Sequence, residues 1–151
     1  MVARVLFLIL TFVCGCNASN AYNKLFVYYG KKHNIPAELL WGIAKTESGF
    51  NPRAVGRNSN GTKDIGLMQV NSIHEAELKS RNLTLDDLYD PKINVEYASE
   101  VLAKCIKKYG FTYYGLNCYN GKAKQNKYHL KVFKNIKDNR KTLRKKTVIL
   151  K

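Results

Sequence analysis

A mainly α-helical single domain, broken by one short irregular or β segment, is the fold the sequence predicts, and three observations carry that expectation. Apolar residues recur at i, i+3, i+4 and i+7 in several separate stretches, the spacing of one buried helix face. Gly, Asn and Pro punctuate the ends of those stretches, whereas residues 49–65 are rich in Asn, Gly, Ser and Pro and have no period. A length of 151 residues with 45% hydrophobic and 25% charged content suits one domain with its own core, and no internal repeat is visible.

The N-terminus stands apart. Arg4 provides a positive start, and residues 5–13 are a nearly unbroken apolar run followed by small and polar residues. That order reads as a secretory signal peptide over residues 1–18, with cleavage after Ala18 or Ala21. The run is far shorter than the roughly 20 residues a bilayer-spanning helix needs. Val13, Gly15 and Cys16 also fit a lipoprotein box, so the alternative is a chain held to a membrane by a lipid anchor at Cys16. Either way the chain is expected to be exported, to a periplasm or cell envelope.

The body, residues 19–136, begins with Tyr22, Leu25, Phe26 and Tyr29 on one helix face, with Gly30 and Asn34 punctuating the end. A second helix is expected from about Pro36 to Ser48, Pro36 being tolerated in a first turn. Residues 49–65 are read as an irregular loop turning at Gly56 and Gly61, and residues 66–71 as a short apolar and amide segment. Ser72, or Asn71 in its place, caps a brief helix through Leu78, and Thr84 with Asp87 marks a capped turn. Asp90 and Pro91 open what is expected to be the longest helix, with Ala98, Val101, Leu102, Cys105 and Tyr109 on one face and Gly110 as its stop. Phe111, Tyr114 and Cys118 repeat at helical spacing. Two helices joined by a tight turn would therefore set Cys105 against Cys118, and export favours a disulfide between them; two buried free thiols are the other reading. A last helix starts near Lys127, turns Val132, Phe133 and Ile136 inward, and dissolves into a basic tail over residues 137–151 that carries Arg140, Lys141, Arg144, Lys145, Lys146 and Lys151.

A formal charge of +15 points to a polyanionic partner or surface (nucleic acid, anionic lipid or acidic cell-wall material), a lysine-rich solvated surface being the plain alternative. For an exported chain the charge suits residence on an anionic envelope, and no nucleic-acid partner is expected. His33, His74 and His129 lack ligand-like spacing with Cys or acids. The loop Asn58-Ser59-Asn60-Gly61 with Asp64 lacks the leading Asp and terminal Glu of a calcium loop. No metal and no cofactor are expected.

One residue carries candidate chemistry. Leu40, Ile43, Ala44 and Glu47 follow i, i+3, i+4 and i+7, so a carboxylate takes the next slot of a core-facing stripe. Glu47 also lies in the last helical turn, where the helix dipole disfavours an anion. Both effects raise a carboxyl pKa, which is what a general acid needs near neutral pH. On periodicity alone the alternative stands that Glu47 escapes to solvent at a frayed helix end.

The surrounding motifs go further. Glu47-Ser48-Gly49-Phe50-Asn51-Pro52, then Asp64-Ile65-Gly66-Leu67-Met68-Gln69-Val70-Asn71, then Asp90-Pro91 with Ile93-Asn94, then Cys118-Tyr119-Asn120-Gly121 stand in this order along the chain. Together they resemble the soluble lytic transglycosylase family, most of all its short members that accompany secretion and pilus systems. The likeness runs from residue 21 to residue 134. It implies a lysozyme-like, mainly α domain with the short irregular or β segment beside its active-site cleft, and peptidoglycan glycan strands as substrate. It further implies that Glu47 is the single catalytic acid/base. Glu47 would protonate the oxygen between N-acetylmuramic acid and N-acetylglucosamine, then take a proton from the muramoyl C6 hydroxyl as that oxygen attacks C1. The product is a 1,6-anhydro end, and one carboxylate suffices where most glycosidases need two.

By the same resemblance Ser48, Met68, Gln69, Tyr119 and Asn120 would line the sugar groove, core packing being the alternative for Met68. Their hydroxyl, amide and aromatic groups suit sugar hydroxyls, N-acetyl groups and ring faces. Asp64 is expected to hold its loop through backbone N–H groups; were it a base that activates water, the enzyme would be a hydrolytic muramidase. Cys118 and Gly121 replace the Ala residues usual around Tyr-Asn, which suggests a stapled groove wall. The family's setting implies secretion or pilus components as partners and local opening of the wall. A scaffold that binds peptidoglycan without cleaving it is the remaining reading.

Overall fold

The computed structural model describes residues 21–124 and 126–149. The signal-peptide and Cys16 readings lie outside the described residues. The first helix, α1, spans Asn23–His33, and α2 spans Ala37–Ser48. Three short strands follow, β1 Val55–Arg57, β2 Lys63–Ile65 and β3 Val70–Asn71. After α3, Glu75–Lys79, come the 19-residue α4, Pro91–Tyr109, the short α5, Tyr113–Tyr119, and the 22-residue α6, Tyr128–Ile149. The expectation of a mainly α domain with a small β segment is met.

Helix α2 sits at the centre. It packs between α1 and α6, while α4 packs on α1 and α5. Its stripe Leu40, Ile43 and Ala44 is fully buried, as are Leu67, Leu78, Leu88, Val95, Leu102 and Val132 from the surrounding elements. Burying a Leu, Ile or Val is worth about 1.5–3 kcal/mol each, so this contiguous set is what orients α2. Gly42, in the middle of α2, lets α6 lie close: a Cβ there would meet Ile136 at 2.7 Å and Val132 at 3.0 Å.

Local signals in the sequence explain most boundaries, and a few readings are corrected. Pro36 precedes α2 as its N-cap rather than opening it. Asn34, left-handed at φ 60°, ends α1, whereas Gly30 is inside that helix and not at its end. Its lack of a Cβ matters because one would stand 2.6 Å from the Ile35 carbonyl. The 49–65 segment is not wholly irregular. β1 pairs with β2 antiparallel, Gly56 opposite Asp64, so Gly56 is a strand residue, and Gly61 at φ 83° makes the turn. β3 adds to β2 with Asn71 opposite Asp64. Asn71, not Ser72, caps the turn after β3, by accepting from the Ile73 N–H at 2.9 Å; the Ser72 hydroxyl accepts from the Lys63 N–H instead. Thr84 and Asp87 form the expected turn, and Asp90 caps α4 by accepting from the N–H groups of Lys92 and Ile93.

Cys105 and Cys118 form a disulfide that ties α4 to α5, with their Cα atoms 5.7 Å apart. Three further readings change. Phe111 precedes α5, and both it and Tyr114 are exposed; Gly115, Leu116 and Asn117 are what α5 buries. Phe133 points outward, because the buried stripe of α6 is Tyr128, Val132 and Ile136, four residues apart each time. Nor does α6 dissolve after Ile136: it runs to Ile149, which makes it longer than α4. Lys and Arg are good helix formers, and the extension is braced by the ion pairs Lys134–Asp138 and Arg140–Glu38. Among the described residues no helix is long and apolar enough to cross a membrane.

Candidate active site

The end of α2 sets the position of Glu47. Gly49 takes the left-handed conformation at φ 61°, and its N–H reaches back to the carbonyls of Ala44 and Lys45, which closes the helix one residue after Ser48. Glu47 is left in the last turn, part-buried on the side that faces α6. There Tyr128, at the start of α6, donates its hydroxyl to Glu47 Oε1 at 2.5 Å.

Burial pushes the Glu47 carboxyl up to about 7; the Tyr128 hydrogen bond opposes that rise, the charge of Asp64 adds to it, and Lys131 lowers it. Near neutral pH the group is therefore divided between acid and carboxylate. With Tyr128 donating to Oε1, the acid form would carry its proton on Oε2. Burial, then the nearby Glu47, raise the Tyr128 hydroxyl far above the usual phenol range, so Tyr128 stays a donor. Tyr119 is likewise held neutral by burial.

Hydrogen bonds to the 65–71 segment hold the remaining motif residues beside this pair. Ser48 Oγ donates to the Leu67 carbonyl at 2.6 Å and so fastens α2 to the 65–71 segment. Tyr119 donates its hydroxyl to the Met68 carbonyl at 2.7 Å, and its ring lies against that of Tyr128, centroids 6.5 Å apart at 25°. Gln69 has φ 52°, a conformation costly for a side-chain-bearing residue; its Nε2 donates to the carbonyls of Gly66 at 2.9 Å and Ala54 at 3.1 Å. Beneath them Asn94 is fully buried: its Oδ1 accepts from the Met68 N–H at 2.8 Å, and its Nδ2 donates to Ile65 O and Leu88 O. Gly66, at φ 81°, allows the close approach, since a Cβ there would stand 2.3 Å from Asn94 Nδ2.

The predicted residues thus separate into kinds. Glu47, Ser48, Tyr119 and the Met68 backbone come together at one junction of α2, the 65–71 segment and the α5–α6 connection. The Met68 side chain does not face that junction, being fully buried in the core. Both amide hydrogens of Gln69 are engaged by backbone, which leaves its Oε1 to accept. Asn120 is exposed just past α5, where its Oδ1 accepts from Asn126 Nδ2 at 3.3 Å. Asp64 holds its loop, though through side chains rather than backbone: Asn71 Nδ2 donates to Oδ1 at 2.6 Å and Asn58 Nδ2 to Oδ2 at 2.9 Å. Tyr128 was not among the predicted residues. Its place four residues before Val132 marked it as a core-stripe position, but its partner is 81 residues away in the chain.

Residues 24–141 match the family described as "Transglycosylase SLT domain". Protein IpgF of Shigella flexneri is 34% identical over 119 residues, which cover 78% of this chain and 76% of that protein. Invasion protein IagB of Salmonella typhi is 41% identical over 91 residues, 60% of this chain and 57% of that protein. A solved lysozyme from Litopenaeus vannamei aligns with a TM-score of 0.47 and 19% identity over 75% of this chain and 93% of its own. The match begins in α1, takes in all the motifs that meet around Glu47 and ends within α6, so the chain belongs to the transglycosylase SLT domain family.

Proposed function

We propose that this protein is a peptidoglycan lytic transglycosylase, with Glu47 as its one catalytic acid/base. The observation that carries the reading is a part-buried carboxyl at the end of α2, pushed up to about 7 by burial, with Tyr128 donating to one of its oxygens. Protonated Glu47 gives its proton to the oxygen leaving N-acetylmuramic acid C1, and the glycosidic bond breaks. The resulting carboxylate accepts the proton of the C6 hydroxyl as O6 bonds to C1, and the acid is restored. No water is consumed, and the substrate's own oxygen is the nucleophile. Tyr119, Gln69 and Asn120 would contact the sugar chain, and Ser48 would hold the 65–71 segment against α2.

The second reading is a hydrolytic muramidase in which Asp64 directs a water molecule. Asp64 is near enough to raise the Glu47 pKa, which favours it. Against it, each Asp64 oxygen already accepts from an Asn amide. Names among the relatives, "Invasion protein" in particular, support a place beside an apparatus that crosses the envelope, with export to the periplasm and local opening of the wall. The anchor at Cys16 and secretion or pilus partners belong to the same proposal.

The deciding experiment incubates peptidoglycan with the protein and with a Glu47→Gln variant and identifies new sugar ends by mass spectrometry. Anhydromuramoyl ends made only by the Glu47 protein are expected. Reducing ends would make it a hydrolase, and no Glu47-dependent product would leave a binding scaffold.

A further inference from the structure

A groove of about 700 Å³ opens at the other end of α2 from Glu47, between the start of α2, the α4–α5 corner and α6. Leu39, in its floor, precedes Glu47 by about 12 Å of helix rise, so the groove is separate from the candidate active site. Leu39, Leu102 and Leu116 make that floor apolar and recessed. Its lips hold Phe111 at 60% exposure and Phe133 at 51%, large rings that an isolated domain gains nothing by exposing. Along α6, Lys137, Arg140, Lys141 and Arg144 line the groove at i, i+3, i+4 and i+7, one continuous helix face. Glu38 is the sole acid among the described lining residues, and Arg140 already grips both its oxygens.

We infer that this groove docks an acidic amphipathic helix of a partner protein, with apolar side chains on the floor and carboxylates along the α6 cations. The lining combines what helix-in-groove recognition requires: a recessed apolar channel between two walls and a single-sign row of charge beside it. From Lys137 to Arg144 the row extends about 10 Å, the length of two turns of a partner helix. A flat lipid surface would reach the lips but not the floor. Nucleic acid would meet the cations but leave the apolar floor empty. A second copy of this chain brings a +15 protein to a cationic lip, which opposes self-association. Beyond Arg140, α6 brings Lys141 and Arg144 to the same lining, so the cationic wall outlasts the tie to Glu38.

The test titrates the protein with a fluorescent helical peptide of about five turns. It bears Leu at i, i+3, i+4 and i+7 and Glu and Ala elsewhere. Saturable binding is expected, with amide chemical-shift changes confined to the groove and affinity that falls as salt rises. Phe133→Glu and the pair Lys137→Glu/Lys141→Glu should each weaken binding roughly tenfold or more. All three positions are exposed, and the circular dichroism spectrum should not change. If either variant fails to fold, Phe111→Ser on the opposite lip takes its place. Several results would overturn the inference: absence of saturable binding, shifts elsewhere on the protein, or equal binding of a peptide with Lys in place of Glu. Preferential groove binding of phosphatidylglycerol vesicles would assign the site to lipid instead, and a concentration-dependent dimer abolished by Phe133→Glu would assign it to self-association. None of these readouts uses cleavage activity, so failure here and failure of the enzymatic reading are distinguishable.

Discussion

Replacing Glu47 by Gln should abolish cleavage and at the same time stabilise the fold, and the stabilisation should depend on pH. The Glu47 carboxyl is displaced from 4.5 to about 7, chiefly by burial. Such a displacement amounts to about 3 kcal/mol of preference for the protonated form in the folded state. The sign follows directly. Below the unfolded value of 4.5 the side chain is neutral in both states and burial carries no electrostatic penalty. As pH rises through about 7 the unfolded chain has already lost its proton, folding must hold one or bury a charge, and stability falls. Gln has the same shape, offers an oxygen to the Tyr128 hydroxyl and never ionises. The variant should therefore match the parent at pH 4 and exceed it by about 3 kcal/mol at pH 8. For a domain of this size that is a gain in Tm of about 10 °C. Thermal unfolding of both proteins by circular dichroism at the two pH values measures it. An offset that is the same at both, or a parent more stable at pH 8, would refute the placement of Glu47 in a desolvated site.

Other outcomes follow from the same geometry. Cleavage should decline above about pH 7 as Glu47 loses its proton; Tyr128→Phe removes a bond that favours the carboxylate, so the alkaline limb of the pH–rate profile should move upward even as kcat falls, and a limb that stays put would dissociate Tyr128 from that titration. Asp64→Asn should still yield anhydromuramoyl ends by mass spectrometry, with the limb displaced downward because a charge that raises Glu47 is gone; loss of all product would make Asp64 essential. Asn94→Ala strands the Met68 N–H and the carbonyls of Ile65 and Leu88, and should cost about 2–4 kcal/mol in urea denaturation. Reducing the Cys105–Cys118 bond, which closes a short loop, should lower stability by about 3 kcal/mol, measured with and without reductant.

The elements that could be read from the chain are those whose cause is local. A 3.6-residue period placed α1, α2 and α4; Asp90 with Pro91 opened α4, and Thr84 with Asp87 formed its turn through side chains two or three residues from the backbone they bond. Glu47 was conspicuous for the same reason, as a charge on an apolar stripe. Residues 49–65 were harder, because the β1–β2 pairing joins strands of three residues each, too short to display alternation. In α6 the dense Lys and Arg obscured the stripe and suggested a tail, and Phe133 was misassigned because an aromatic one position off a stripe looks much like one on it.

By itself the sequence determined the helical class, the order of the motifs, the presence of a carboxylate on an apolar helix stripe, and a pair of cysteines that two neighbouring helices could set together. Tertiary structure alone decided what surrounds that carboxylate. Tyr128 reaches Glu47 across 81 residues of chain, Asn94 fixes the 65–68 backbone from beneath, Met68 turns into the core, and the cations of α6 come to border an apolar groove. Periodicity tells which face of a helix is buried, but not which other element buries it; that depends on how the helices cross, and a pKa or a groove exists only once they have done so.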